Sequence, residues 1–474
     1  MLRFLLIKGV SLISLNLAQV LMPFVRTVIL TRILSSFEFG FASALAASYS
    51  TFELITDISI HRFVFASPRG DYQDALAGAH GLSIVRGAAA ATLAVAAAPA
   101  LAYILSLSAN WMSFAWLGLA IFIRSFEHLE VRVAERDYQY NSQFITNLVS
   151  DGTGLVVMIV TWLYVQDHVI YIAMLFAQNI SYVLTSHYLA KSPYRANFRS
   201  VYFSKAARFA YPLVLSGFGL AAVSQGDRLL VGSVLDLPTL GVYSVMILVT
   251  TVPMGAIIRF SSTLVLAGLH NAGADQVRLQ SRLLLYTRVM LIIGVCFAFG
   301  LLCFMDIVVP FVFGARFAVE PSAVALLALA SFITIARAEP TTSALLINHR
   351  THALATLSLS TAVGLLVATV LALSYRNIYV VLLGRLAGEV FAFCITLPIL
   401  RKYIGQAGWR PFIRSWWAAT WVVAASIFTV ISPWPEISWS PIVILGLLAM
   451  LTIAGLAFDL QPMIARAYGR GGSA

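Results

Sequence analysis

Apolar stretches of about twenty residues, the length a helix needs to cross a bilayer, recur from one end of this chain to the other. Gly87 to Ile123, Val289 to Met305 and Trp439 to Phe458 carry no charged side chain at all. In hydrocarbon every peptide group must find its partner within the chain, and runs this continuous satisfy that need only as helices. Charged residues make up 11% of the 474, whereas a soluble domain needs about a quarter to cover its surface. That excludes an ordinary soluble enzyme and predicts an all-α polytopic membrane protein. About 14 transmembrane helices are expected, near 9–30, 39–60, 81–105, 111–127, 144–165, 169–190, 209–232, 241–265, 283–305, 321–347, 353–374, 377–398, 415–431 and 440–458.

The loops test that count, because Lys and Arg in short loops stay on the cytoplasmic side. With the N-terminus inside, 20 of the 31 basic residues fall in cytoplasmic segments, 3 on the opposite face and 8 within the spans. One helix too many or too few would scramble this asymmetry. Both termini are therefore expected in the cytoplasm, and the net charge of +11 reads as a topology signal rather than a nucleic-acid footprint. The first apolar stretch runs to Val25 without a small-residue cleavage site, so it reads as a retained helix.

An internal repeat organises the spans. Ile29–Ser43 laid over Leu230–Ser244 matches Leu34 with Leu235, Gly40 with Gly241 and Ser43 with Ser244, all at an offset of 201 residues. Two pseudo-symmetric six-helix lobes follow, over 1–200 and 201–410, with two extra C-terminal helices and a cytoplasmic tail in 411–474. Six is even, so both lobes enter from the same side, as in secondary transporters whose site lies near the midplane. Trp416, Trp417, Trp421, Trp434 and Trp439 in the extra helices read as interfacial anchors.

Ionised side chains at bilayer depth cost about 2.5–3.5 kcal/mol each on insertion scales, so they must face a cavity or a partner. Arg86, Arg124 and Arg288 lie near cytoplasmic helix ends and are expected to snorkel. Arg385 and Glu389 stand four apart, as a pair on one helix face would. Arg337 and Glu339 are two apart and point in different directions, so one of them needs another partner or water. The offset sets Arg259 beside Asp57 and one turn from Glu53, where a cross-lobe ion pair and pairing of the two acids within their own lobe are both open. Arg26 aligns with Asp227, next to Arg228. Guanidinium stays charged in a low dielectric and offers bidentate donors, which suits phosphate oxygens. Arg26, Arg228, Arg259, Arg337 and Arg385 are thus the candidate substrate contacts, and Glu53, Asp57, Asp227 and Glu389 the candidates for gating or coupling. The eight histidines lack metal-ligand spacing, the three cysteines lie singly in apolar runs, and no phosphate-binding GxxxxGK[ST] loop is present. Neither catalytic residue, metal nor cofactor is expected.

The stretch from Arg26 through Leu30-Thr-Arg-Ile-Leu-Ser-Ser-Phe-Glu-Phe-Gly40, with its counterpart Gly226–Ser244, resembles the Wzx-type oligosaccharide flippases. These polysaccharide transporters share a superfamily with the MATE drug exporters and the lipid II flippases. The resemblance implies two lobes around a cationic cavity, through which a polyprenyl-diphosphate-linked oligosaccharide passes to the outer leaflet of a bacterial cytoplasmic membrane. It implies Arg26 and Arg259 as the diphosphate contacts. It also implies a lipid-linked oligosaccharide and membrane lipid as partners, with the polysaccharide polymerase and export machinery beyond them. A MATE-like exporter of organic cations is the first alternative and predicts an acidic cavity. An integral membrane enzyme of the same glycan pathway is the second and needs a catalytic loop longer than any here.

Overall fold

The computed structural model describes residues 21–56, 60–137, 139–199, 201–272, 275–348, 350–431, 439–458 and 460. These are helical nearly throughout and contain no strand. Helix α1 covers 21–33 and is followed by α2 (Ser36–Thr56), α3 (Ile60–Ala66), α4 (Tyr72–Ile104), α5 (Trp111–Arg124), α6 (Glu130–Val133), α7 (Asn141–Trp162), α8 (Val169–Leu189) and α9 (Val201–Val234). Then come α10 (Leu237–His270), α11 (Gln276–Phe313), α12 (Pro321–Ile347), α13 (Thr351–Ser360), α14 (Ala362–Ser374), α15 (Ile378–Ser415), α16 (Ala418–Ile431) and α17 (Trp439–Phe458). Each of the fourteen expected spans falls on a helix, the first only in its described part and the eleventh divided at Thr361 between α13 and α14. Seven of the described helices, in α4, α7, α8, α10, α11, α12 and α15, are long and apolar enough to cross a membrane by length and composition alone.

Helix ends depart from expectation where side chains cap them. The ninth span begins at Gln276 rather than near 283 because the Asp275 carboxylate accepts the Val277 and Arg278 amides at 3.0 and 3.1 Å, satisfying donors that open the helix. Two caps stand 201 residues apart. Ser35 Oγ accepts the Glu38 amide at 3.1 Å at the start of α2, and Asp236 Oδ1 accepts the Thr239 amide at 2.7 Å at the start of α10. The repeat therefore extends to the way corresponding helices are opened.

The chain divides into two compact units, 1–244 and 245–474. In the first, α7 packs along α8, α4 along α5, and α2 along α9. One end is tied by Glu38, whose Oε2 accepts the His168 amide at 2.8 Å and meets His168 Nδ1 at 3.0 Å, while Ser113 Oγ meets Nε2 at 3.1 Å. In the second, α11, α12 and α15 form the middle of the packing. Arg288 does not snorkel: it is 5% exposed, and its Nε donates to Ser415 Oγ at 2.8 Å.

The segment between α8 and α9 is strapped to the end of the first unit through histidines. His80 accepts the Leu129 amide at Nε2 and faces the Arg195 carbonyl with Nδ1, both at 3.1 Å. His128 accepts the Glu130 amide at Nδ1 at 3.3 Å and faces the Ser192 carbonyl with Nε2 at 3.1 Å. Each ring thus has one acceptor and one donor, the pattern of a neutral imidazole. The Tyr194 ring packs against His80, His128 and His187, and burial pushes its phenol up to about 12. Burial likewise holds the His128 imidazole below its ordinary range, with the His187 charge adding to the effect and Glu130 opposing it.

A released His128 would take a proton near pH 6.5 while the strapped one stays neutral, so acid favours release. Amide exchange across 190–199, corrected for intrinsic rate, should therefore rise between pH 7.5 and 5.5 more in the wild type than in His128→Gln. Identical acid responses would show that His128 does not govern the strap.

Candidate functional site

Three arginines and two carboxylates on five helices of the first unit lie within electrostatic reach of one another's neighbours. Arg26 on α1 and Arg228 on α9 both lie within electrostatic reach of the buried Tyr171 of α8, as does Glu53 of α2. Arg26 also reaches Asp151 of α7, which shares the field of Arg124 at the end of α5. The chain thus brings Arg26, Glu53 and Arg228 of the expected set into one neighbourhood, and adds Arg124 and Asp151. Glu127 beside Arg124 and Asp227 next to Arg228 bring further negative charge, so what distinguishes Arg26 and Arg228 is that neither forms an ion pair with a described residue.

The local chemistry fixes most of these groups. Tyr49 sits one helical turn before Glu53 on α2, and its hydroxyl meets Glu53 Oε1 at 3.0 Å and Asn179 Oδ1 of α8 at 3.3 Å. One phenolic proton cannot serve two acceptors, and Asn179 Nδ2 is buried without a partner. Turning the amide over resolves both facts: Nδ2 donates to the tyrosine oxygen, and the phenol donates to Glu53. On α7, Asp151 accepts Gln178 Nε2 at 3.2 Å. Gln178 reaches back because Gly154, one turn along α7, has no side chain; a Cβ there would run into Gln178 Cγ. Arg124 lies 3.0 Å over the Tyr182 ring and 3.7 Å from Glu127, which Arg132 meets at 3.3 Å. That stack and pair, rather than snorkelling, account for Arg124.

Arg228 is held at one side only. Its Nη1 meets Gln225 Oε1 at 3.4 Å, while its Nε is buried with no partner. Neighbouring Asp227 accepts the Tyr243 hydroxyl at 2.6 Å. Arg26 forms no ion pair with a described residue, and the Thr27 hydroxyl beside it donates to the Pro23 carbonyl at 2.8 Å.

The remaining expected residues belong to the second unit or to neither description. Arg259 is exposed on α10, with Nε donating to the Gly255 carbonyl at 3.2 Å. Asp57 lies outside the described residues. Arg337 of α12 meets Glu389 of α15 at 2.6 Å, which supplies the partner its sequence neighbourhood lacked. Glu389 is thereby joined across helices, and Arg385, one turn before it on α15, is half-buried. Glu339 is 3% exposed and takes the Ser343 hydroxyl from its own helix. Among the described residues no group of His, Cys, Asp and Glu is placed to hold a metal ion.

Tyr49, Asn179 and Gln178 escaped sequence reasoning, since a polar residue in a span carries no sign of its partner on another helix, 130 positions away for Tyr49 and Asn179 and 27 for Gln178 and Asp151.

The description "polysaccharide biosynthesis protein" names the family that matches residues 29–320. No curated relative matches the chain. Among solved structures, the lipid II flippase MurJ in an inward closed conformation is similar at a TM-score of 0.68 and 11% identity, covering 97% of this chain and 100% of that one. An inward-facing multidrug resistance MATE family transporter of the MOP superfamily gives 0.57 at 12% identity, covering 84% and 94%. A MOP superfamily transporter from Pyrococcus furiosus gives 0.52 at 14%, covering 83% and 95%. At these identities the likeness is one of fold.

Proposed function

The chain belongs to the polysaccharide biosynthesis protein family, and from that premise we propose that it is a flippase for a polyprenyl-diphosphate-linked oligosaccharide. The observation that carries this reading is the pair Arg26 and Arg228, which reach the same buried Tyr171 inside the first unit and form no ion pair with a described residue. A half-buried arginine with a buried, unused Nε, sharing the field at Tyr171 with another that has no ion pair among the described residues, is a receptor for an oxyanion. Two six-helix lobes, 1–200 and 201–410, alternate access around the site, and the polyprenyl tail stays in lipid while the charged head crosses. Arg26 of the first lobe and Arg228 of the second bind the diphosphate first, and Arg259, further along the second, receives it. Glu53 and Asp227 restrain the arginines in the empty state. Moving one charge through the membrane potential is worth about 2.3 kcal/mol per 100 mV, which is ample to give the cycle a direction.

The test is to delete the gene in its host and follow lipid-linked oligosaccharide on the inner leaflet. Accumulation is expected, relieved by the wild-type chain and not by Arg26→Ala/Arg228→Ala. Relief by that double variant would remove the site. A cation exporter would instead fail on Glu53→Gln/Asp151→Asn and tolerate the arginine changes.

A further inference from the structure

We propose that the first unit carries a second, separate anion site, at the end where α7 begins and α8 finishes, which holds the phosphate of an anionic membrane phospholipid. A cavity of about 380 Å³ opens there, with Arg136 and Lys191 among its walls. Arg136 uses Nη1 on the Ser67 carbonyl at 3.0 Å. Neither it nor Lys191 forms an ion pair with a described residue. The carboxylate in the lining, Glu130, does not cancel them: its Oε2 accepts the Lys191 amide at 3.0 Å, the Ser192 amide at 2.9 Å and the Ser192 hydroxyl at 2.6 Å. Three donors on one oxygen hold that charge towards the strap and leave the two cations for a ligand.

The rest of the wall says which phosphate. Val133 and Leu189 make it partly apolar. Deeper along the same two helices, Ile145 and Leu148 on α7 and Leu184 on α8 are exposed, so an acyl chain leaving the cavity meets apolar side chains at once. A free phosphate would have no use for that surface. With the basic loops expected in the cytoplasm, the site falls at the inner leaflet, whose anionic lipids draw juxtamembrane Lys and Arg. The site is independent of the proposed cargo site and does not require that reading.

The test is native mass spectrometry of the full chain in detergent, titrated with phosphatidylglycerol and, separately, phosphatidylcholine. One phosphatidylglycerol should be retained in preference to phosphatidylcholine, and Arg136→Gln/Lys191→Gln should weaken it by about tenfold or more, the worth of one charge-assisted hydrogen bond. Ser142→Trp, which fills the cavity without altering charge, should weaken it as well. Unchanged retention in both variants overturns the proposal. Displacement of the lipid by millimolar inorganic phosphate also overturns it, since a soluble anion would then be the ligand. Monodisperse elution and an unchanged melting temperature of each variant exclude misfolding as the cause of a loss.

Discussion

Replacing Arg337 with leucine is expected to cost the folded protein about 3–5 kcal/mol, because it strands the Glu389 carboxylate in a low-dielectric interior. The two side chains meet at 2.6 Å and are 9% and 15% exposed, so little water is at hand to replace the guanidinium. The double variant Arg337→Leu/Glu389→Leu removes both charges and should recover most of the loss, since a buried pair is commonly no better than apolar residues of similar size. Arg337 Nε, buried without a partner, makes recovery easier still. Thermal unfolding of the purified chain and the yield of folded protein in membranes measure the first part. Flipping by the double variant measures the second, and is expected to persist because this arginine is already committed to Glu389. A single variant as stable as wild type would refute the structural account; a stable double variant that no longer flips would return Arg337 to the cargo site.

That pair shows where sequence reading stops. The apolar runs and the bias of loop charges are local quantities summed over tens of residues, and they located the helices. The 201-residue offset drew attention to Arg26 and Arg228 because both lie on equivalent helices. Partner choice is a different matter. Arg385 and Glu389 satisfy the helical rule for a pair, yet Glu389 takes Arg337 from 52 positions away, since two long side chains from facing helices can meet head-on in the space between. Arg124 looked free to reach water from a helix end; the Tyr182 ring that covers it lies on a helix 58 positions later. Helix ends shifted for a similar reason: Asp275 caps α11 well before its apolar run begins, and a cap is worth about 1 kcal/mol regardless of hydropathy.

The repeat itself makes the sharpest structural prediction, at the contact between its own aligned glycines. Both lie inside the first unit. A Cβ on Gly40 would fall on the Leu237 carbonyl, and a Cβ on Gly241 would approach Phe39 Cδ1 at 3.1 Å and the Ser36 carbonyl at 3.4 Å. Leu237 is Ser36 advanced by 201 residues, so each glycine faces the start of the other's helix, as a self-complementary contact about a two-fold axis requires. The symmetry is imperfect, and the imperfection has consequences. At Gly40 the obstacle is backbone at the first turn of α10, held by the Asp236 cap and unable to yield without moving the helix. At Gly241 the nearest obstacle is the edge of an aromatic ring, which can give by a few tenths of an ångström. Gly40→Ala should therefore destabilise the chain by about 1–3 kcal/mol or more, the range for overpacking a filled interior, and abolish flipping if this seam closes during transport. Gly241→Ala should leave both nearly unchanged. Melting temperatures of the two purified variants, with complementation of the deletion strain, decide the matter: equal losses would mean that the seam is symmetric in solution, and no loss at Gly40 would mean that the two helix starts do not meet there.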